Sequence, residues 1–509
     1  MRLVALVCLL SLAQVVVAED SIQRSPKEWQ EIALADLNAV HDAIVRGHPG
    51  AIDELNPNFK IWMEDGFSKA KTLVSEVDSY GGVVDVVRYY VTGFRDGHLG
   101  YSDDASGKLA PDLNMRVSGW SVEHTPHGYT VVATVNGSGQ PVPPLGSTLL
   151  QCDGQQPGDL IKERVAPFVD RRNPEAPCNV AALAMGELKS LQLKQCAFKT
   201  IGGSELTLPV DYRFLGPGDW AALIEGCNQR KHRDNGFTFQ HGTLWIRAAN
   251  FSLNSDQAKA LQRMLRQLRQ LRGVRVLVFD VRGNGGGDSG VGGKIFEAAT
   301  GGLKFDTSNL KQLPQVYAEW RVSEFSLKAA DSYVTGKQAT YGARSAQVVE
   351  AQAFRDELAR DQRSGAVWHR QWVDGLDGYL VDRAEMARRH GHLRRYHGPV
   401  VLLTDERCAS ACLDFADLVH ILPGSIQVGQ TTSSDTLYIH VGFFEMPSGN
   451  HLTMPLKVWR NRLRGDSVPW VPDEPIAGNL EDDRAVESAV KAIVARRFGA
   501  SQTLEKGSD

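Results

Sequence analysis

The sequence predicts an α/β fold with a mainly parallel, helix-covered sheet in its C-terminal half. Segments 276–280 and 400–404 are almost entirely apolar, as expected for strands that are buried on both faces. A strand-like segment at 242–247 is followed by apolar residues at helical spacing, and this strand–helix–strand alternation is typical of a parallel sheet. With 42% hydrophobic residues in 509, the chain can bury a sizeable core and form about two to four domains.

The first 18 residues have the pattern of a secretory signal peptide. Arg2 supplies a positive charge, residues 3–17 are almost unbroken apolar sequence, and small residues precede the expected cleavage after Ala18. The apolar run is too short to span a bilayer comfortably, which argues against an uncleaved anchor. We therefore expect an exported protein, periplasmic or extracellular, with residues 1–18 removed and no membrane anchor.

Residues 19–110 are predicted to form an N-terminal helical domain. Apolar residues recur at a spacing of 3.6 between positions 29 and 44, and His48-Pro49-Gly50 would end that helix. A second apolar stretch at 83–90 predicts another helix in the same domain.

Residues 111–225 are predicted to form a β-rich module. The β-like run 129–135 is bounded by glycine and proline turns. Further on, a strand, an Asp153-Gly154 turn and a helix near 159–161 follow one another, and this order resembles a PDZ-like module.

Residues 226–509 form the predicted core, with an insertion at about 301–397. The helix after strand 242–247 would be capped by Ser255 and ended by Gly273. The insertion contains a helical stretch near 346–360 and a basic, histidine-bearing stretch at 388–397, and it could cover a functional site.

Charge and motif content narrow the classes of partner. A formal net charge of −4 argues against a nucleic-acid or anionic-membrane partner. The sequence has no His-Glu-x-x-His and no paired Cys-x-x-Cys, and His390, His392 and His397 lie in an arginine-rich run that is expected to be solvated. We expect no metal and no cofactor, and the sequence gives no indication of the oligomeric state.

Six cysteines follow the predicted signal peptide: Cys152, Cys178, Cys196, Cys227, Cys408 and Cys412. An even number in an exported chain allows disulfides. Cys178 and Cys196 form a plausible local pair. Cys408 and Cys412 stand at i, i+4 spacing around Ser410, and they could either bridge or remain two buried thiols.

Two polar turns follow the apolar strands and carry the candidate chemistry. Gly285, Gly286 and Gly287 let the backbone approach a ligand closely, and Ser410 opens a helix after the second strand. A serine beside such a turn can perform acyl transfer, because backbone N–H groups can stabilise an oxyanion. The alternatives are an ordinary strand-to-helix turn and a serine that only caps its helix. The glycine spacing does not match the dinucleotide or P-loop motifs.

Ser289 is a second serine in a suggestive context. Gly287-Asp288-Ser289-Gly290 mimics the nucleophile signature of chymotrypsin-like peptidases. Those enzymes are antiparallel double barrels, however, and Ser289 follows a predicted parallel strand. We therefore expect no catalytic role for Ser289.

The two turns together resemble the tail-specific, or C-terminal-processing, serine peptidase family. The family's Asp-x-Arg-x-Asn-x-Gly-Gly turn is matched at 280–287, and its serine-alanine step at the start of a helix is matched at Ser410-Ala411. The resemblance covers most of residues 236–480, including 242–251, 428–432 and Pro472-Asp473. It implies a ClpP/crotonase-like core, a peptide or protein substrate, Ser410 as nucleophile and oxyanion donors at the N–H groups of Gly286 and Ala411.

The family uses two different bases, and the sequence favours one of them. In one branch a lysine follows the nucleophile, but its position here is Asp435, and no lysine occurs between Gly398 and Met454. The tricorn-core-like branch uses a histidine in an Asp-Gly-His-like motif, which this chain has at 96–98. His98 is therefore the expected base, because an imidazole can take and return a proton at neutral pH. The alternative is a histidine in a polar turn.

The resemblance also implies an acid that helps to orient the histidine. Asp466 occupies the approximate position before Pro472-Asp473, although it could equally lie in a surface turn. The tricorn core has a serine directly before its histidine, and Gly97 stands there in this chain. The sequence therefore predicts an exported serine peptidase. Its alternative is a peptide-binding protein on the same fold with weak or lost catalysis.

Overall fold

The structure, a computed structural model, describes residues 24–102, 115–125, 127–135, 141–174, 176–223, 233–305, 315–372, 394–477 and 480–499. The predicted signal peptide and most of the basic stretch 388–397 lie outside these residues. Within them, no helix has the length and apolar character needed to cross a membrane.

The predicted α/β fold is confirmed, and a six-stranded sheet forms the centre of the described core. In spatial order its strands are Glu474–Pro475, Ser425–Gly429, Val400–Thr404, Val276–Asp280, Thr243–Arg247 and Gly236–Gln240. Every neighbouring pair is parallel except the last, which is an antiparallel hairpin. The central strands 276–280 and 400–404 are buried at every residue, as their apolar sequences predict.

Helices cover both faces of this sheet. Ser255–Leu268, Ser289–Thr300 and Ala411–His420 pack on one face, and Asp483–Phe498 packs on the other. The predicted cap of the first helix was wrong by one residue, since the Asn254 side chain accepts hydrogen bonds from the N–H groups of residues 256 and 257. Its end was also misplaced, because the helix ends at Leu268 and not at Gly273.

The N-terminal helices pack on a second, antiparallel sheet. The helices are Pro26–Gly47, Pro57–Leu73 and Tyr80–Thr92, and the strands are Gly100–Ser102, His451–Arg460, Tyr317–Arg321, Trp368–Trp372 and Tyr438–Glu445. A single hydrophobic cluster joins these helices to residues 438–458. The N-terminal helices and the strands between residues 438 and 458 are therefore held together by one core.

The insertion 301–397 contributes to this second sheet. Its strands Tyr317–Arg321 and Trp368–Trp372 pair with each other, and the first of them also pairs with His451–Arg460. Helix Ala346–Ser364 is close to the predicted helical stretch, whereas helix Glu324–Tyr341 was not anticipated. Short strands Leu303–Lys304 and Arg394–Arg395 pair near the two ends of the insertion.

The β-rich segment forms a five-stranded antiparallel meander. Its strands are Trp120–Thr125, Gly128–Thr134, Thr148–Cys152, Gln195–Lys199 and Glu205–Pro209, and the short strands Met115–Val117 and Arg213–Leu215 pair beside it. Helical turns lie at Pro157–Leu160, Ile161–Val165, Pro177–Ala181, Ala182–Ala184, Lys189–Leu191 and Pro217–Leu223. The predicted Cys178–Cys196 pair was wrong, because Cys196 is bonded to Cys152 on the neighbouring strand.

Candidate active site

The two polar turns predicted from the sequence meet at one edge of the core sheet. Strands Val276–Asp280 and Val400–Thr404 are parallel neighbours in register, so their carboxyl ends lie together, where α/β sheets place their ligand sites. A Cβ atom added to Gly286 would lie 2.8 Å from the Cβ of Ser410. Only glycine therefore allows the first turn to approach the serine this closely.

The glycine turn is held by side chains of its own motif. Arg282 bonds Asp280 through both carboxylate oxygens, at 2.8 Å from Nε and 2.6 Å from Nη2. The Asn284 amide donates to the Ala248 carbonyl at 2.6 Å, and its oxygen accepts from the Gly286 N–H at 2.9 Å. These buried contacts fix the turn against the sheet.

Ser410 lies at the start of helix Ala411–His420 in a rare backbone conformation. Its φ is +54° and its ψ is −123°, and its hydroxyl makes no capping hydrogen bond. A non-glycine residue in such a region costs about 1–3 kcal/mol and persists only where its surroundings enforce it. A disulfide between Cys408 and Cys412, both fully buried, closes the chain around it. Of the two alternatives left open for these cysteines, the structure has the bridge.

His98, from the N-terminal part of the chain, lies beside Ser410. Its Nε2 lies 2.9 Å from Ser410 Oγ, although the two residues are 312 positions apart. The strand Gly100–Ser102, which begins two residues after His98, pairs antiparallel with residues 451–453. This pairing positions the histidine over the carboxyl edge of the core sheet.

Asp96 is the carboxylate beside His98. One of its oxygens accepts the His98 backbone N–H at 2.9 Å and lies 3.8 Å from His98 Nδ1. The other oxygen lies 3.5 Å from Nε2 of the fully buried His48. Burial alone would raise the pKa of Asp96, but the two histidines outweigh burial and hold it below its usual value. Asp96 belongs to the Asp-Gly-His-like motif at 96–98, but no role was predicted for it from the sequence.

Gly97 accommodates an arginine from the β-rich segment. A Cβ atom at Gly97 would lie 2.0 Å from Arg172 Nη1. The Arg172 guanidinium bonds Asp170 at 3.0 and 2.9 Å, and its Nη1 donates to the Ser434 carbonyl at 3.3 Å. The arginine thus occupies the space in which a serine side chain at position 97 would lie.

The two other acids considered from the sequence have different partners. Asp466 is exposed, and its carboxylate accepts the Leu437 N–H at 2.9 Å. Asp435, at the position of the lysine in the other branch, is buried and bonds Arg464 at 2.5 Å. No described contact joins Asp466 to His98, so its orienting role stays a prediction.

The two proposed oxyanion donors differ in their present bonding. The Gly286 N–H is engaged by Asn284, as described above. The Ala411 N–H, the first of its helix, has no acceptor among the described residues. A helix N-terminus also carries partial positive charge, which favours an oxyanion beside it.

Ser289, the other serine considered from the sequence, has different contacts from those of Ser410. It begins the helix Ser289–Thr300, and its hydroxyl donates to the Asp414 carboxylate at 2.6 Å. No histidine contacts it among the described residues. Within those residues there is also no group of three or more histidine, cysteine or acidic side chains that could hold a metal ion.

Comparison with known families agrees with this chemistry. Residues 242–468 match the model of peptidase family S41, which places both turns and Ser410 within the matched region. The protein is a serine-type peptidase. More particularly, the family resemblance predicted from the sequence is confirmed for residues 242–468, which match peptidase family S41.

Solved structures show the same fold over almost the whole chain. Mature CPAF is similar with a TM-score of 0.54 and 13% identity, covering 94% of this chain and 99% of CPAF. Mature CPAF complexed with lactacystin gives 0.53 and 13%, covering 92% and 99%. No curated protein matches the sequence at a significant level. At this identity the structural likeness establishes the fold alone.

Proposed function

We propose that the protein is an exported peptidase in which Ser410 is the nucleophile and His98 the general base. The observation that carries the proposal is the 2.9 Å contact between His98 Nε2 and Ser410 Oγ at the carboxyl edge of a parallel sheet. A serine needs such a base to be reactive at neutral pH. The bridges Cys152–Cys196 and Cys408–Cys412 support export, because disulfides persist in oxidising compartments.

The proposed reaction is acyl transfer in two stages. Ser410 Oγ attacks the scissile carbonyl while His98 Nε2 takes its proton, and the tetrahedral intermediate then collapses as His98 protonates the leaving amine. In the second stage, His98 activates a water that releases the acyl group and regenerates the serine.

Two backbone N–H groups would stabilise the oxyanion, those of Ala411 and Gly286. The Ala411 N–H is available in the present arrangement. The Gly286 N–H would either hydrogen-bond Asn284 and the substrate oxygen at the same time or turn away from Asn284. Loss of one oxyanion donor typically lowers kcat by about 10²–10³-fold.

Asp96 is the acid that the geometry favours for orienting His98. It is 5% exposed and faces Nδ1 of the histidine, whereas Asp466 is exposed and bonded elsewhere. Asp96→Asn should therefore lower kcat strongly, and Asp466→Asn should have a small effect. The reverse result would restore the assignment of Asp466 made from the sequence.

We further propose three domains in the mature chain, at 19–110, 111–225 and 226–509. The five-stranded meander with its helix at Pro157–Leu160 supports a PDZ-like assignment for the second. Such a module would bind the C-terminus of a substrate by strand addition. Equal binding of a C-terminally amidated peptide and its free acid would contradict this role.

The test is covalent labelling of the mature protein by a fluorophosphonate probe at neutral pH. Ser410→Ala and His98→Ala should abolish or nearly abolish labelling, since removal of a triad member costs several orders of magnitude in rate. Ser289→Ala is the matched control, because it removes a neighbouring serine that bonds Asp414 instead of a histidine. A folded, oxidised protein that does not label would favour the alternative, a peptide-binding protein.

A further inference from the structure

Three buried polar atoms without hydrogen-bond partners lie close together on the side of His98 that faces away from Ser410. They are His48 Nε2, the Asp96 oxygen that faces it and His98 Nδ1, and none of them makes a hydrogen bond among the described residues. A buried polar atom that is left unpaired destabilises the folded state. His48 Nε2 lies 3.5 Å from this Asp96 oxygen, and His98 Nδ1 lies 3.8 Å from the other oxygen of the same carboxylate. The three side chains are therefore expected to bond one another when the site tightens.

The hydrogen position on His48 follows from its other contacts. Its Nδ1 accepts the Gly50 backbone N–H at 2.9 Å, so this nitrogen carries no proton. Burial lowers the pKa of His48 and keeps the ring neutral, which leaves the single proton on Nε2. The ring stacks on Phe59 at 4.5 Å and meets the edge of Tyr438 at 5.0 Å, so its orientation is fixed.

The only carboxylate beside His48 Nε2 among the described contacts is that of Asp96. We propose that His48 is a positioning residue for the proposed reaction, donating its Nε2–H to Asp96 so that Asp96 receives the Nδ1–H of His98. His98 is then held as the tautomer whose Nε2 is unprotonated and faces Ser410 Oγ. This inference rests on the proposed function of Ser410 and His98. It adds a second histidine, from the N-terminal helices, to the arrangement.

Other charged or titratable groups also act on this site. Asp53 acts electrostatically on His48, and Arg172, Tyr438 and Asp466 interact electrostatically with Asp96. Arg172 is already bonded to Asp170, and Asp466 to a backbone N–H. His48 is therefore the direct donor to the Asp96 oxygen that lies 3.5 Å from its Nε2.

A purely structural role for His48 predicts a different outcome. His48 ends helix Pro26–Gly47 through its backbone N–H and begins the next turn by accepting the Gly50 N–H. His48→Asn keeps an acceptor near the position of Nδ1 and removes the donor toward Asp96. His48→Gln keeps an amide donor near the position of Nε2 and loses the acceptor for Gly50. The two variants therefore separate the turn from the contact with Asp96.

The experiment compares both variants with the unmodified protein in labelling rate, kcat, KM and melting temperature. We expect His48→Asn to lower labelling and kcat by about 10–10²-fold with little change in KM, as for a small misplacement of a catalytic group. His48→Gln should retain most of the activity even if its melting temperature is lower. Unchanged kcat in His48→Asn, or equal losses in both variants, would overturn the inference.

A double-mutant cycle with Asp96→Asn tests the path of the effect and needs only variants that fold. If His48 acts through Asp96, changing His48 in the Asp96→Asn background should cause little further loss. Independent, multiplicative losses would refute the inference. Failure of the unmodified protein to label would instead count against the proposed function itself.

Discussion

Replacement of Gly286 by alanine should almost abolish activity, and the size of the effect follows from the structure. The new Cβ would lie 2.8 Å from both the Ala409 carbonyl oxygen and the Ser410 Cβ, about 1 Å inside ordinary contact. The turn carrying Ser410 would have to move by a similar amount, and a displacement of 1 Å at a reacting group costs about 10²-fold in rate. The φ of +104° adds about 1–2 kcal/mol of backbone strain.

Gly365 provides the matched control for the strain. It has a φ of +77° at the end of helix Ala346–Ser364, and a Cβ there would meet nothing within 4 Å. Gly365→Ala should lower the melting temperature while fluorophosphonate labelling stays unchanged, whereas Gly286→Ala should label about 10²-fold more slowly or not at all. Labelling of Gly286→Ala at the unmodified rate would refute the close approach of the two turns.

Two further predictions concern the bridge around the serine and a buried acid. Replacing Cys408 and Cys412 together by alanine should mainly slow labelling, with a smaller effect on the melting temperature, because the bridge encloses the strained Ser410 turn. Replacing Cys152 and Cys196, which join two strands of the meander, should lower the melting temperature and leave labelling unchanged. Equal effects on labelling would contradict this. Burial, with a smaller effect from a neighbouring aspartate, raises the pKa of Glu187 from its ordinary value of 4.5 to about 8. Between these two pH values the folded state keeps a proton on Glu187 that the unfolded state has released. Stability should therefore fall as pH rises from 5 to 8, and Glu187→Gln should flatten this decline in melting temperature; an unchanged slope would argue against the shift.

Local sequence patterns predicted the parts of the fold that depend on local chemistry. Strands 276–280 and 400–404 are recognisable because burial on both faces requires unbroken apolar residues. The cap at Asn254 was missed because Asn254 and Ser255 are both good capping residues, and the choice between them depends on backbone geometry. The partner of Cys196 was missed for a related reason, since strand pairing and not distance along the chain brings Cys152 beside it.

The candidate site was predictable as far as its motifs extend. Ser410 and His98 were chosen from separate segments, and the structure places their side chains in contact, although their catalytic roles stay predictions. Asp96 stood in the same motif as His98, and the acid two residues before a histidine was the signal that could have identified it. His48 carried no such signal, because its only visible pattern was the end of a helix, and its contact with Asp96 arises from packing between distant segments.

The pairing of strand Gly100–Ser102 with residues 451–453 has a consequence for biosynthesis. A chain that has been translated only to the end of the β-rich segment already contains His98 but lacks Ser410 and the strand that positions the histidine. The contact between His98 and Ser410 can form only after residues beyond about 450 have been synthesised and have folded against the N-terminal helices. The order of the segments along the chain therefore makes this contact a late event in folding, which depends on the last strand of the second sheet.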